Sequence, residues 1–369
     1  MHIRPFRATC PKLEFINSTD SFFNSVKEEY LTYQQSGLFS RREAAAIFVY
    51  QIRSRQRQYT GIIACADIED YLYGRILKHE HTLADQEQKQ LQLLMHWQAA
   101  VKPVLVTYAA VPAIDDWVEE QIAGREPFLQ VYFEQEQQVH ALWEVAQAER
   151  IQDIRALFAD RIRHAYIADG HHRTTSTALL YERTNAPGQR NPYTNLLCAF
   201  FPATDLDIHD FNRIVEGSAD LSPSLFMARL AQLFHIEILK GPRRPGNKFE
   251  VLMFVNQEWY YLRWKPEVLA AYGHEPVVLD SHLLNELVLR DILGIEDVRT
   301  DRRVEYVEGP LGLEAVWRRA AEQDFRVGFC LFPVALTEMI ALADQDRMLP
   351  PKSTWFEPRM KNGLIVYEF

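Results

Sequence analysis

Apolar and polar positions along this chain follow two rhythms. Residues 46–52 and 59–66 are almost continuously apolar and rich in β-branched and aromatic side chains, and the three alternating arginines between them predict a hairpin with a solvated basic tip. Over 20–36 and 85–100 the apolar residues recur at helical spacing. Gly37 ends the first of these helices, and Leu91, Leu94, Met95 and Trp97 fall on or near one face of the second. Short strands are predicted over 104–108, 129–133 and 140–143, and a short helix over 151–158. Downstream, a strand over 194–201 stops at Pro202, and a hairpin joins 249–255 to 259–264 across Asn256 and Gln257. An amphipathic helix over 281–293 closes at Gly294, followed by a strand over 325–332 and a helix over 334–344. Hairpins and helices without regular βαβ alternation predict an α+β fold of mixed sheets with helices. A composition shift over 217–223 predicts two domains, 1–216 and 217–369.

One stretch departs from both rhythms. In Ile167-Ala-Asp-Gly-His-His-Arg173 an apolar run ends in a Gly turn, then two histidines and an arginine precede a helical pattern with Ala178, Leu179 and Tyr181 on its apolar face. Ile167 and Ala168 read as the end of a buried strand, Asp169 and Gly170 as the turn, and 174–184 as the helix. The first turn of a helix presents N–H groups that lack intrahelical partners, at the positive end of the macrodipole, where anions bind. Asp169 by itself also reads as a helix cap. A turn, however, has no packing use for His171, His172 and Arg173 in succession. The arginine offers a fork matched to phosphate or carboxylate, and the histidines can donate to an anion or move protons near neutral pH.

The 369 residues, 47% of them hydrophobic, suffice for a sizeable core. No uninterrupted apolar run is long enough to span a membrane, and the N-terminus lacks the pattern of a secretory signal, so the expected location is the cytoplasm. A formal net charge of −10 argues against nucleic acid as a partner. Cys10, Cys65, Cys198 and Cys330 are scattered without a CxxC pair, which predicts buried free thiols.

Three further groups are candidates for chemistry. In Lys78-His-Glu-His-Thr82 an extended chain would turn His79 and His81 one way and Glu80 the other. Two imidazoles and one acid are a weak zinc signal without further ligands. The segment also reads as a charged connection capping the next helix, or as a carrier of Glu80 as general base or indirect metal ligand. Lys352, Ser353 and Thr354 have the composition of a phosphate-binding trio but lack the Gly spacing of a P-loop, and a Pro-fixed turn is the plainer reading. Asn212 and Arg213 form a smaller candidate, alongside the reading of a surface helix start or local salt bridge. GxSxG, GxGxxG and HExxH do not occur.

At these residues the chain resembles the family called domain of unknown function 1015. The resemblance runs through Ile3-Arg-Pro-Phe-Arg7, Tyr50-Gln-Ile-Arg53, Thr60-Gly-Ile62, Lys78-His-Glu-His-Thr82, Ile167-Ala-Asp-Gly-His-His-Arg173, Pro350-Pro-Lys-Ser-Thr-Trp-Phe356 and Gly363-Leu-Ile365. The family pattern has Arg where His81 stands and Lys where Arg359 stands. The loop at Asp169–Arg173 is also similar to the nucleotide-binding loop of the ParB and sulfiredoxin superfamily, which includes free-serine kinases. That likeness implies a strand, loop and helix gripping nucleotide phosphates, in a ParB/sulfiredoxin-like nucleotide-binding core with an elaborated C-terminal part; segment 350–363 of that part is expected to reach the same site.

The activity so implied is a Mg²⁺-dependent phosphotransferase using a nucleotide such as ATP or ADP on a small hydroxylated metabolite, with L-serine and O-phosphoserine as the candidate pair. Glu80, His172 and Asp169 are the expected catalytic residues. Gly170, His171, His172, Arg173 and Thr174, with Lys352, Ser353 and Thr354, are expected to bind phosphate, and His79, Thr82, Asn212 and Arg213 the substrate. No metal ligand set is assigned, and a homo-oligomer is allowed. Two other classes stay open: a nucleotide- or metabolite-binding regulator without turnover, and a ParB-like nucleic-acid-binding protein.

Overall fold

A computed structural model describes residues 1–186, 188–189, 191–217, 221–322 and 325–369. The chain divides into two units, Met1–Leu206 with Pro358–Phe369, and Asp207–Glu357. The sequence pattern set the division at 216/217, within a composition shift of which residues 218–220 lie outside the described residues. It falls earlier because Phe211–Glu216 is a strand of the second unit's sheet, paired with Val304–Glu308 and Arg326–Leu331. The last residues return to the first unit because Val366–Glu368 pairs with Ala8–Pro11 and with Ala99–Ala100.

The first unit is built on a nine-stranded mixed sheet. The expected hairpin is present, with Ile47–Arg53 antiparallel to Gln58–Asp67 and Val49 opposite Ile62. Gln58–Asp67 also pairs antiparallel with Asn195–Pro202, which runs parallel to Val104–Tyr108, itself antiparallel to Ala165–Asp169. Gly61 permits this packing, since a Cβ there would lie 2.4 Å from the Phe200 carbonyl oxygen. One sheet face buries Val49, Ile62, Val106 and Ile167 against Ile151, Ile154 and Phe158 of the helix Ala148–Arg161. Each such side chain contributes about 1.5–3 kcal/mol. The helix Pro112–Ile122 is absent from the sequence reading, which passed over Pro112 as a first-turn start signal.

Beneath the opposite face His140 is fully buried, its Nδ1 2.5 Å from the Tyr50 hydroxyl. Burial, followed by the charge of Lys361, lowers its pKa from 6.5 to about 3. The unfolded chain therefore takes up this proton first as pH falls, and the stability present above the unfolded pKa is lost toward the folded one. Urea unfolding is expected to show about 3 kcal/mol less stability from this group at pH 4 than at pH 7. His140→Gln should flatten that part of the profile; an unchanged pH slope in the variant would refute the assignment.

The second unit has a six-stranded sheet ordered Phe234–Leu239, Glu258–Trp264, Glu250–Val255, Arg326–Leu331, Phe211–Glu216 and Val304–Glu308. Every pairing in it is antiparallel. The expected turn at Asn256 and Gln257 has φ of 51° and 64°, the left-handed pair that a two-residue hairpin loop uses. The segment expected as one helix over 281–293 begins as α-helix at Asp280–Leu283 and continues as π-helix over Leu284–Arg290. Val215, Met253 and Phe329 pack with Leu284 and Val288 on one face of the sheet, and Ile214, Phe254 and Val316 on the other. All four cysteines are free and buried. Among the described residues no helix is long and apolar enough to cross a membrane.

Candidate functional site

Ile76–Leu77 pairs in parallel with the start of Ala165–Asp169, so the segments that follow both strands leave the sheet at the same end. This pairing brings Lys78-His-Glu-His-Thr82 to the Gly170 turn. Gly170 takes φ 111° and ψ 26°, and the helix His171–Thr184 begins at the next residue rather than at Thr174. The Thr174 N–H donates to the Gly170 carbonyl at 3.0 Å and closes the first turn, which therefore consists of His171, His172 and Arg173. A Cβ on Gly170 would meet the Arg173 guanidinium at 2.8 Å. Gly170→Ala is expected to cost about 1–3 kcal/mol from backbone strain. A melting temperature equal to the parent's would show that the turn tolerates a side chain.

On one flank of this turn the His79 N–H donates to His171 Nε2 at 3.4 Å, and the two rings meet edge to face at 4.4 Å. His171 Nδ1 lies 4.0 Å from Glu80 Oε2. The Leu83 N–H donates to His172 Nε2 at 3.1 Å. Glu80 and His79 thus face the same partner. The opposite arrangement expected of an extended chain fails because residues 78–82 are an irregular bend, which leaves His81 exposed. Thr82 donates to the Glu87 carboxylate at the start of the helix Ala84–Trp97. Burial pushes the pKa of His79 well below its usual value. It also lowers that of His171 to about 4 against the opposing charge of Asp169. Donor atoms of His79, Glu80 and His171 all lie within 4.8 Å of one another, so this group could hold a metal ion.

On the other flank Asp169 faces Arg173 at 2.8 Å, Arg359 at 3.3 Å and Lys102 at 3.8 Å. Burial alone would raise the Asp169 carboxyl, but Lys102, Arg173 and Arg359 outweigh it and hold the group well below the usual carboxylate range. Burial lowers Lys102 to about 8, with Asp169 opposing. Arg173 also donates to the carbonyl oxygens of Lys102, at 3.1 Å, and of Pro103. Its fork, expected on phosphate, thus already binds the strand end at Lys102. Thr174 is fully buried, with its hydroxyl returned to the Gly170 carbonyl at 3.2 Å. Beside these groups opens a cavity of about 290 Å³ lined by Lys102, Asp169, Arg173, Thr177, Trp97 and Asn195. The sequence reading missed Lys102, because a single lysine before an apolar strand carries no local signal; only the fold sets it beside Asp169.

The remaining candidates belong to the second unit. Asn212 and Arg213 lie inside a strand rather than at a surface helix start. The Asn212 side chain accepts from the Leu331 N–H at 3.3 Å. Arg213 is fully buried, donates to the Phe211 carbonyl at 3.0 Å, and has its guanidinium 5.6 Å from the Tyr306 ring centre. Lys352 is exposed, 5.2 Å from the Phe211 ring centre. Ser353 is buried; it donates to the Pro350 carbonyl at 2.7 Å and lies 2.9 Å from the Ser281 hydroxyl. Thr354 is half-buried beside it.

Residues 7–283 match the family described as Protein of unknown function (DUF1015). None of the curated proteins matches the sequence. Among solved structures the chain is remotely similar to SbnI with C-terminal truncation from Staphylococcus aureus, at 13% identity over 82% of this chain and 87% of that one, with a TM-score of 0.43. It is similar to a free serine kinase in complex with AMP at 12% identity over 82% of this chain and 92% of that one, TM-score 0.39. A conserved hypothetical protein from Pyrococcus furiosus matches at 12% identity over 82% and 95% of the two chains, TM-score 0.38.

Proposed function

The chain belongs to the DUF1015 family, and from that premise we propose that it is a nucleotide-dependent phosphotransferase acting on a small hydroxylated metabolite. One observation carries the reading: the first turn of the helix His171–Thr184 has the Glu80 carboxylate on one flank and the Lys102 cavity on the other. Phosphoryl transfer requires positioned cations and donors for the phosphates and a base for the attacking hydroxyl, and little else from the protein. In this proposal the phosphates bind the first-turn N–H groups at Gly170, His171 and His172, with the Lys102 ammonium beside them. Arg173 and Asp169 hold that wall in place. Glu80, one-third exposed, takes the proton of the acceptor hydroxyl, and His79, His172 and Thr82 shape the acceptor side. L-serine is the first acceptor to test, through the loop's similarity to that of the free-serine kinases.

Asp169 is engaged by three cations, and the other cluster offers two imidazoles, so the chain's own donors do not fit Mg²⁺, a hard cation that prefers oxygen ligands. In this reading Mg²⁺ arrives with the nucleotide phosphates. The test is phosphorus NMR of the protein with Mg²⁺ and ATP, ADP or pyrophosphate plus L-serine, and separately with O-phosphoserine and ADP. New phosphoserine, or its loss, that vanishes in Glu80→Gln is the expected result. Nucleotide binding with unchanged spectra across hydroxylated acceptors would overturn turnover and leave a nucleotide-binding regulator.

A further inference from the structure

We propose that His79, Glu80 and His171 form a mononuclear site for a divalent transition metal of the Zn²⁺ class. The proposal rests on the placement of Glu80 at the acceptor side of the phosphotransferase reading, and it adds to that reading a metal held by the chain itself. Donor atoms of the three residues already lie within 4.8 Å of one another. Around a bound Zn²⁺ with bonds of about 2.0–2.1 Å, tetrahedral ligand atoms stand roughly 3.3 Å apart, so the donors close by up to about 1.5 Å on binding.

Its parts are held by the sheet, because Ile76–Leu77 and Ala165–Tyr166 are paired in parallel immediately before the segments that carry the donors. His79 is 1% exposed and His171 6%, so both imidazoles sit inside the fold with Glu80 at its edge. Two imidazoles and one carboxylate select Zn²⁺, Co²⁺, Mn²⁺ or Fe²⁺ over Mg²⁺ and Ca²⁺. Binding through His171 Nδ1 puts the imidazole proton on Nε2, so the 3.4 Å hydrogen bond from the His79 N–H is given up and the segment carrying His79 shifts to separate the two donors. Three protein ligands leave a coordination position for a substrate oxygen, and the second Glu80 oxygen stays available to accept a proton.

The experiment uses the full chain without an affinity tag, stripped with a chelator and then titrated with Co²⁺ and Zn²⁺. Metal content, calorimetry and the visible Co²⁺ spectrum are read in the absence of nucleotide. One equivalent per chain is expected, with Co²⁺ absorption bands distinct from those of the aqueous ion and displaced by Zn²⁺. His171→Gln should weaken binding by roughly 100-fold or more. Glu80→Gln, at a half-buried position and with its fold checked by circular dichroism, should weaken it by at least about 10-fold, so the proposal stays testable if the buried histidine variant does not fold. Absence of stoichiometric metal in the parent, or affinity unchanged in Glu80→Gln, overturns the site. Nucleotide affinity of the stripped protein is measured alongside: its loss in both stripped and reloaded protein would instead count against the phosphotransferase reading.

Discussion

Replacing Glu80 by Gln is expected to lower phosphoryl turnover by about 10³-fold while nucleotide affinity changes by less than about threefold. The amide keeps the shape and the hydrogen-bonding reach of the carboxylate but cannot accept the proton of an attacking hydroxyl. Glu80 is one-third exposed and approaches His171 Nδ1 at 4.0 Å. The melting temperature of the variant is measured alongside, so that a loss of folding is told apart from a loss of chemistry. Turnover and binding are measured separately, by phosphorus NMR and by calorimetry with the nucleotide alone. An affinity that collapses together with turnover would mean that Glu80 holds the ligand instead of taking the proton.

Arg173→Ala is expected to abolish nucleotide binding through the loss of a wall, with an accompanying fall in stability of about 3–5 kcal/mol. Arg173 joins Asp169 at 2.8 Å to the carbonyl oxygens of Lys102 and Pro103, so its removal strips two acceptors and part of the charge that holds Asp169 ionised. In a unit of this size such a loss lowers the melting temperature by roughly 10 °C. Lys102→Met separates the two effects. It leaves the Arg173 contacts in place and should reduce nucleotide affinity by at least about 10-fold with a smaller thermal shift. A normally melting Arg173→Ala that has lost binding would make the guanidinium a direct phosphate ligand. Unchanged affinity in Lys102→Met would move the nucleotide away from the cavity.

The strongest local signals in the sequence correspond to elements of the structure. Continuous apolar runs around the arginine-rich tip became Ile47–Arg53 and Gln58–Asp67, because a strand buried on both faces has no polar position to alternate with. The helix Thr19–Gln35 is capped by Ser18, whose hydroxyl accepts from the Ser21 N–H, and it ends before Gly37, as its spacing predicts. The start of His171–Thr184 was misplaced, because histidine and arginine carry little information about where a helix begins. The side on which Glu80 faces was likewise illegible, since strict alternation holds only for a paired strand and residues 78–82 form none.

The sequence by itself determined the α+β class, the strand–turn–helix at Asp169–Arg173 and the family, because each is written in local periodicity or in contiguous residues. Only the tertiary structure decided which distant groups meet there. Parallel pairing of Ile76–Leu77 with Ala165–Tyr166 sets His79 and Glu80 against His171. The return of Pro358–Phe369 to the first unit sets Arg359 against Asp169, and the strand Val104–Tyr108 brings Lys102. Such contacts arise from chain crossings dozens of residues long, whose outcome depends on the packing of the whole sheet and not on the spacing of any one motif.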